Sequence, residues 1–115
     1  SLPAELNDSP TAQKVWEALP IEGNANTWGE EIYFDIPVVA DLEPDARAEV
    51  EVGELAYWPA GRAFCIFFGP TPASTDARPR AYSPVNVIGR VLGDATLFHP
   101  VPHGARVRVA REKET

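Results

Sequence analysis

The apolar positions of this chain fall into short runs, and most of them alternate. From Glu31 to Ile36 the pattern sets Ile32, Phe34 and Ile36 on one face and Glu31, Tyr33 and Asp35 on the other, which is the period of a half-buried strand. Glu49 to Val52 alternates again, and Gly53 marks a turn or bulge before an aromatic strand over Leu55 to Trp58. Ala63 to Phe68 is an unbroken apolar run, stopped by Gly69 and Pro70. A run that short and that apolar reads as a strand buried on both faces. Val85 to Val91, with Gly89 inside it, reads as a strand, and Leu2 to Leu6 as the tail of one. Ala105 to Ala110 sets Val107 and Val109 against Arg106 and Arg108, a final strand with one wet face.

One segment has a clear helical period. Ala12, Val15, Trp16 and Leu19 recur at i, i+3, i+4 and i+7, so they line one face. Asp8 and Ser9 offer an N-cap, Pro10 suits the first helical position, and Pro20 stops the run. The spacing predicts a helix over about 10–19 with Trp16 on its core face. A short second helix is predicted at about 94–99, capped by Asp94 and ended by Pro100. Asn24 to Asn26 reads as a turn and Asp41 to Asp45 as an acidic loop. Pro70 to Pro84 is the long connection, and loops of that length in compact domains often carry function. Six or seven short strands with these two helices read as a mainly β barrel or sandwich whose ends the helices cap.

The bulk composition narrows the picture. With 115 residues, the chain (1–115) is one domain, able to bury a core without disulfides or metal. The 12 prolines suit a turn-rich β fold. The single Cys65 lies in the apolar run, where a thiol reads as a small hydrophobe. No apolar run is long enough to span a bilayer and no signal peptide is visible, so a cytoplasmic protein away from membranes is expected. Ser1 in place of methionine suggests a trimmed start.

Charge is uneven along the chain. Residues 1–54 hold 13 acidic and 2 basic side chains, and residues 55–115 hold 4 acidic and 8 basic, for a net −7. That balance argues against a nucleic-acid partner. The two halves are expected to face each other across strand pairs as solvated, mutually attracting surfaces.

Catalytic patterns are thin. His99 and His103 are four apart, but Pro100 and Pro102 forbid the helix that would align them as metal ligands. Glu30 and Glu31 are adjacent, so on a strand they point apart and make a poor acid–base pair. Ser74, Thr75 and Ser83 have no histidine nearby in sequence. Gly29, Gly53, Gly61 and Gly69 are isolated turn glycines rather than a phosphate cradle. No metal and no cofactor are expected. The best surface candidate is aromatic: Trp28, Tyr57, Trp58 and Phe68 beside the 70–84 connection, with Glu30 and Arg62 as its polar groups. The competing reading makes Trp28 and Trp58 plugs of the barrel ends.

Four stretches carry a resemblance: Asn26 to Phe34, Val52 to Pro59, Ala63 to Pro72 and Ser83 to Val91. On these the chain resembles the cyclophilin-like family of small prokaryotic proteins, an atypical branch of the cyclophilin fold with no assigned activity. The resemblance implies a closed β-barrel with a helix over each open end. It also implies a first barrel strand preceding Leu2, for which this sequence has no residues; an open edge of that kind invites self-association as a homodimer. A weaker likeness reaches the prolyl isomerases among the cyclophilins, with Phe67 and Phe68 where they carry paired phenylalanines. The isomerase arginine is absent: Phe34, Asp35 and Ile36 precede Pro37, and Ile66 stands where a glutamine is expected.

Prolyl isomerisation works by binding the twisted amide better than the planar one, and the likeness to the cyclophilin isomerases implies an arginine donor to the prolyl nitrogen and an apolar proline socket for that preference. The expected function is therefore binding of a peptide or small molecule without efficient isomerase activity, at Trp28, Glu30, Tyr57, Trp58, Arg62, Phe67 and Phe68. A divergent isomerase that uses Arg62 or Arg78, and a self-associating interaction module, are the alternatives.

Overall fold

A computed structural model describes residues 2–112. The described residues form nine strands, one α-helix and two short 3-10 turns. In chain order these are β1 (Ala4–Leu6), α1 (Pro10–Ala18), β2 (Ile21–Asn24), β3 (Asn26–Thr27) and β4 (Glu31–Asp35). There follow β5 (Arg47–Glu49), β6 (Glu54–Trp58), β7 (Ala63–Phe67), β8 (Arg80–Val91) and β9 (Arg106–Val109). The 3-10 turns are Pro59–Gly61 and Ala95–Phe98.

Strand pairing is antiparallel throughout. One sheet runs β1-β8-β6-β7-β4-β3, with β5 also paired to β8, and β2 and β9 form a separate ribbon. Ala25 bridges the two, since its N–H bonds the Ala105 carbonyl and its own carbonyl accepts from Gly104. Among the described residues no ladder joins β1 to β9, so the pairing stops short of the closed barrel expected from the resemblance. The mainly β class with one helix stands.

Alternation divides the buried side chains into two layers. Ile32, Phe34, Leu55, Tyr57, Phe64, Ile66 and Ile88 pack inside the curved sheet with Ala12 and Val15 of α1. Ala56, Ala63, Cys65, Phe67, Ala81 and Val85 form a second, smaller cluster on the opposite face. The unbroken run Ala63–Phe67 is buried at every position because β7 lies between these layers. Ala95 and Phe98 of the second 3-10 turn pack on the same core as the helix.

Helix α1 is capped as its sequence predicts. The Ser9 hydroxyl accepts the Ala12 N–H, and Pro10 opens the first turn. The Glu43 carboxylate accepts the Thr11 N–H at 3.0 Å and the Thr11 hydroxyl, placing negative charge where the helix dipole favours it. Buried Asn86 accepts the Glu43 N–H and donates to Thr11 and to the Asp41 carbonyl, so the acidic loop is tied to the helix and to β8. Trp16 departs from the expected core face. It is 44% exposed. Val15 and Ala12 already fill the inward stripe of this nine-residue helix, and the Trp16 ring instead carries the Arg111 guanidinium 5.1 Å from its centroid.

Three other elements differ from expectation. β2 and β3 replace the predicted turn at Asn24–Asn26, with Ala25 as the break between them. The strand expected at Glu49–Val52 lies earlier, over Arg47–Glu49, because Glu51 closes a turn onto the Glu54 N–H. β8 starts at Arg80 and runs through Pro84, where its register with β5 shifts, the setting in which a strand tolerates proline. The connection before it is correspondingly shorter than Pro70–Pro84.

The acidic first half does face the basic second half. Glu49 pairs with Arg78 at 3.2 Å and Arg80 at 3.0 Å, Glu22 with Arg106 at 3.6 Å and Glu5 with Arg90 at 3.9 Å. All are solvent-exposed, and such pairs contribute about 0–1 kcal/mol each. No helix among the described residues is long and apolar enough to cross a membrane.

Candidate functional site

The site is built from a hairpin, one face of β7 and the start of β8. β3 and β4 are joined by Gly29 and Glu30, and Trp28 and Glu31 close the loop with reciprocal backbone hydrogen bonds of 3.0 and 3.2 Å. Gly29 has φ +58°, the first loop position where such hairpins favour glycine. A Cβ there would lie 2.8 Å from the Thr71 backbone, so glycine also lets the 70–72 segment press against the loop. The Glu30 N–H donates to Pro70, and the Phe68 N–H to Glu30.

Directly opposed residues on a hairpin project to one side. Trp28 and Glu31 therefore both face the smaller cluster, and Tyr33 follows on that face two residues along β4. Tyr33 is paired with Cys65 on β7, which brings the thiol under the same surface. Trp58 arrives from the end of β6, where its ring lies over Gly61; a Cβ at Gly61 would come within 2.5 Å of the indole. The Trp58 Nε1–H donates to the Ser83 hydroxyl at 2.7 Å, fixing the ring.

The start of β8 completes this face, and the connection ahead of it is tied together by its own hydrogen bonds. Ser74 binds the Thr71 N–H and the Arg78 carbonyl through its hydroxyl, and the Thr71 hydroxyl donates to the Arg80 carbonyl. Folded on itself in this way, the connection leads into the start of β8, which brings Ala81, Tyr82 and Val85 to this face. The result is a cavity of about 160 Å³ lined by Trp28, Glu31, Tyr33, Trp58, Cys65, Ala81, Tyr82 and Val85. Tyr82 stands at its mouth, 77% exposed. Its ring meets Trp28 edge-on at 6.2 Å and 70°, and Trp58 at 6.1 Å and 73°. The three rings form three walls of a box.

Glu31 lies in the wall of that cavity at 5% exposure. No lysine, arginine or histidine among the described residues pairs with it. Burial pushes its carboxyl from the ordinary 4.5 up to about 7, with the Cys65 thiol offsetting part of the rise. Cys65 has one proton and two acceptors within reach, the Glu31 carboxylate and the Ala63 carbonyl at 3.8 Å. An ionised carboxylate is the stronger acceptor. Burial raises the thiol well above its usual range, and the Glu31 charge adds to that. Cys65 is thus an unreactive thiol beside a carboxylate that holds or releases a proton near neutrality.

Of the seven residues expected at the site, the structure brings two, Trp28 and Trp58, into this cavity. Tyr57 is in the main core, its hydroxyl donating to the Val38 carbonyl at 2.5 Å. Alternation along β6 sends Tyr57 inward and Trp58 outward. Phe67 is packed in the smaller cluster beneath the cavity. Phe68 goes to the opposite face, against Phe98 at 6.2 Å and His99 at 5.1 Å. Glu30 also leaves the cavity and meets the His99 Nε2 at 2.7 Å. Arg62 is exposed, ending the Pro59–Gly61 turn in the left-handed conformation with φ 48°. His99 and His103 do not converge, since His103 accepts the Thr27 N–H instead. Among the described residues no cluster has a metal-binding composition.

Glu31, Tyr33, Cys65, Ala81, Tyr82 and Val85 were not anticipated. A signal for the first two existed. A strand apolar at every position is covered on both faces, so the polar face of the strand paired with it lies under the same cover.

A cyclophilin-like family model matches residues 1–110. The chain belongs to the cyclophilin-like family. Nothing among curated proteins matches it. This cyclophilin-like chain is also similar to a hypothetical protein from Archaeoglobus fulgidus with a known solution structure. The two are 40% identical with a TM-score of 0.79, over 96% of this chain and 86% of that one. Within the family's frame, the aromatic cavity of this cyclophilin-like protein has no arginine in its lining.

Proposed function

We propose that the protein binds an apolar group of a small molecule or peptide in the cavity walled by Trp28, Trp58 and Tyr82, and does not catalyse prolyl isomerisation efficiently. The single observation that carries this reading is the composition of the cavity: three aromatic rings over one buried carboxylate. Ligand sites are concave, mostly apolar and provided with a few convergent polar groups. An apolar space of about 150 Å³ accommodates a ring the size of benzene, so the cavity suits one group of a ligand rather than a folded partner.

The absence of isomerase activity is supported by the positions of the arginines. Arg78 is engaged by Asp76 and Glu49, Arg80 by Glu49, and Arg62 faces solvent. None stands at an apolar floor where it would donate to a prolyl nitrogen. The paired phenylalanines diverge, Phe67 into the smaller cluster and Phe68 into the main core, which speaks against one proline socket. Self-association has weaker support, because the terminal strands β1 and β9 span only three and four residues, and short edges resist pairing.

Two measurements test the reading. A proline-peptide isomerisation assay is expected to show no acceleration; a rate within about tenfold of an ordinary cyclophilin, ~1.4 kcal/mol in barrier, refutes the non-catalytic part. In an NMR screen of small molecules, the indole N–H signals of Trp28 and Trp58 are expected to shift while that of Trp16 stays still. Hits that move only signals away from these two indoles overturn the site.

A further inference from the structure

We propose that the group taken by this cavity is an alkylated ammonium cation, held in the aromatic box with its charge toward the Glu31 carboxylate. The inference rests on the binding reading above and names the ligand class.

Three facts converge on a cation. The Trp28, Trp58 and Tyr82 rings surround one opening, with the tyrosine steeply inclined to both indoles. The faces of aromatic rings carry negative potential, which attracts a cation most strongly where water is excluded. Glu31 lies in the wall of the same space, 5% exposed and without a cationic partner among the described residues. A buried carboxylate left alone is costly, so an arriving positive charge gains from it what no cationic side chain among the described residues supplies.

The remaining lining selects the kind of cation. It is mostly carbon, with the carboxylate as the one charged group. A guanidinium brings five N–H donors and a primary ammonium three. Donors that find no acceptor in such a site cost free energy. A fully alkylated ammonium has none to satisfy, and its methyl groups pack on the rings. The exposed Tyr82 at the mouth leaves an outward path for the rest of the ligand. A free quaternary amine and a trimethylated lysine side chain share this chemistry.

Protonation of Glu31 gates the affinity. The titratable groups facing it are the Cys65 thiol from β7, the Tyr33 phenol from its own strand and the Tyr82 phenol from β8; β6 contributes Trp58 and the hairpin Trp28, neither titratable. None of these becomes cationic. Burial holds the Glu31 carboxyl at about 7, and a bound cation favours its ionised form. Affinity therefore rises as pH increases through that value and levels off above it.

The test uses the full chain, tryptophan fluorescence, and two probes of one shape. These are choline and dimethylbutanol, the neutral alcohol with a tert-butyl group in place of trimethylammonium. At about pH 8, choline is expected to bind at least roughly tenfold more tightly than the alcohol. Lowering the pH to about 5.5 is expected to weaken choline at least roughly tenfold and leave the alcohol unchanged. Glu31→Gln is expected to bring choline down to the alcohol's affinity and abolish the pH dependence; if that variant does not fold, the wild-type pH profile decides. Equal binding of both probes at every pH overturns the cation and leaves the binding site standing. Binding of neither probe, with no hit at the two indoles in the NMR screen, overturns both. Acetyl-trimethyllysine amide compared with choline names the source: either order of affinity, each with the same pH profile, supports the cation.

Discussion

Trp28 and Glu31 exchange two backbone hydrogen bonds, 3.0 and 3.2 Å long, across the loop of Gly29 and Glu30. That pairing, and not proximity in sequence alone, sets an indole and a carboxylate side by side on one face of the sheet. Glu30, the neighbour of Glu31, points away to His99. The chemistry of the cavity thus depends on the geometry of a two-residue loop.

The loop makes Gly29→Ala a sharp probe. The substitution puts a side chain at φ +58° and a Cβ 2.8 Å from the Thr71 backbone. Both penalties act together, so a loss of about 2–3 kcal/mol is expected. Gly93→Ala is the control, since its Cβ would meet only the Leu2 side chain at an ordinary 3.5 Å. Urea unfolding of both variants checks this; equal midpoints would show that the loop tolerates a side chain.

Stability is expected to depend on pH through Glu31. Its carboxyl titrates at about 7 in the folded chain against an ordinary 4.5, so between those values the folded state binds more protons than the unfolded one. Stability from this group is therefore fully present below pH 4.5 and is lost as pH rises through about 7, by about 3–3.5 kcal/mol in all. Glu31→Gln removes that slope. Denaturant midpoints of the two proteins from pH 5 to 8 are expected to diverge, with the variant the more stable at the alkaline end. Parallel curves would mean that the carboxyl titrates normally.

Ser83 holds the Trp58 ring through a 2.7 Å hydrogen bond. Ser83→Ala removes the acceptor but no core packing. A loss of about 0.5–1.5 kcal/mol is expected, together with weaker binding of cavity probes, because the indole wall is released. An unchanged Trp58 indole N–H resonance in the variant would show that the bond contributes nothing to the ring's position.

Much of the frame was legible. Ser9, Pro10 and the spacing of Ala12 and Val15 define α1, because capping and helical periodicity are local. Alternation identified β4 and the apolar run identified β7, each to within a residue at its end. β2 was missed because Ile21–Asn24 has a glycine and two polar residues in four positions; it becomes a strand through pairing with β9, which lies far along the chain.

The candidate site was legible only in its tryptophans. Glu31 and Tyr33 sit on the polar face of an alternating strand, where solvent is the default neighbour. Tyr57 and Phe68 look like surface aromatics in a rich segment but alternate into the core.

Local pattern determined by itself that this is a mainly β domain, where its clear helix begins and ends, and which strand is buried on both faces, because those properties depend on neighbours a few residues away. Only the tertiary structure decided that Glu31 is buried and that Trp28, Trp58 and Tyr82 share one opening. Burial of a polar face requires a cover, and here the cover is the start of β8, which carries Ala81, Tyr82 and Val85 and is held by pairing with β5. Pairings between segments so far apart along the chain leave no period in the sequence.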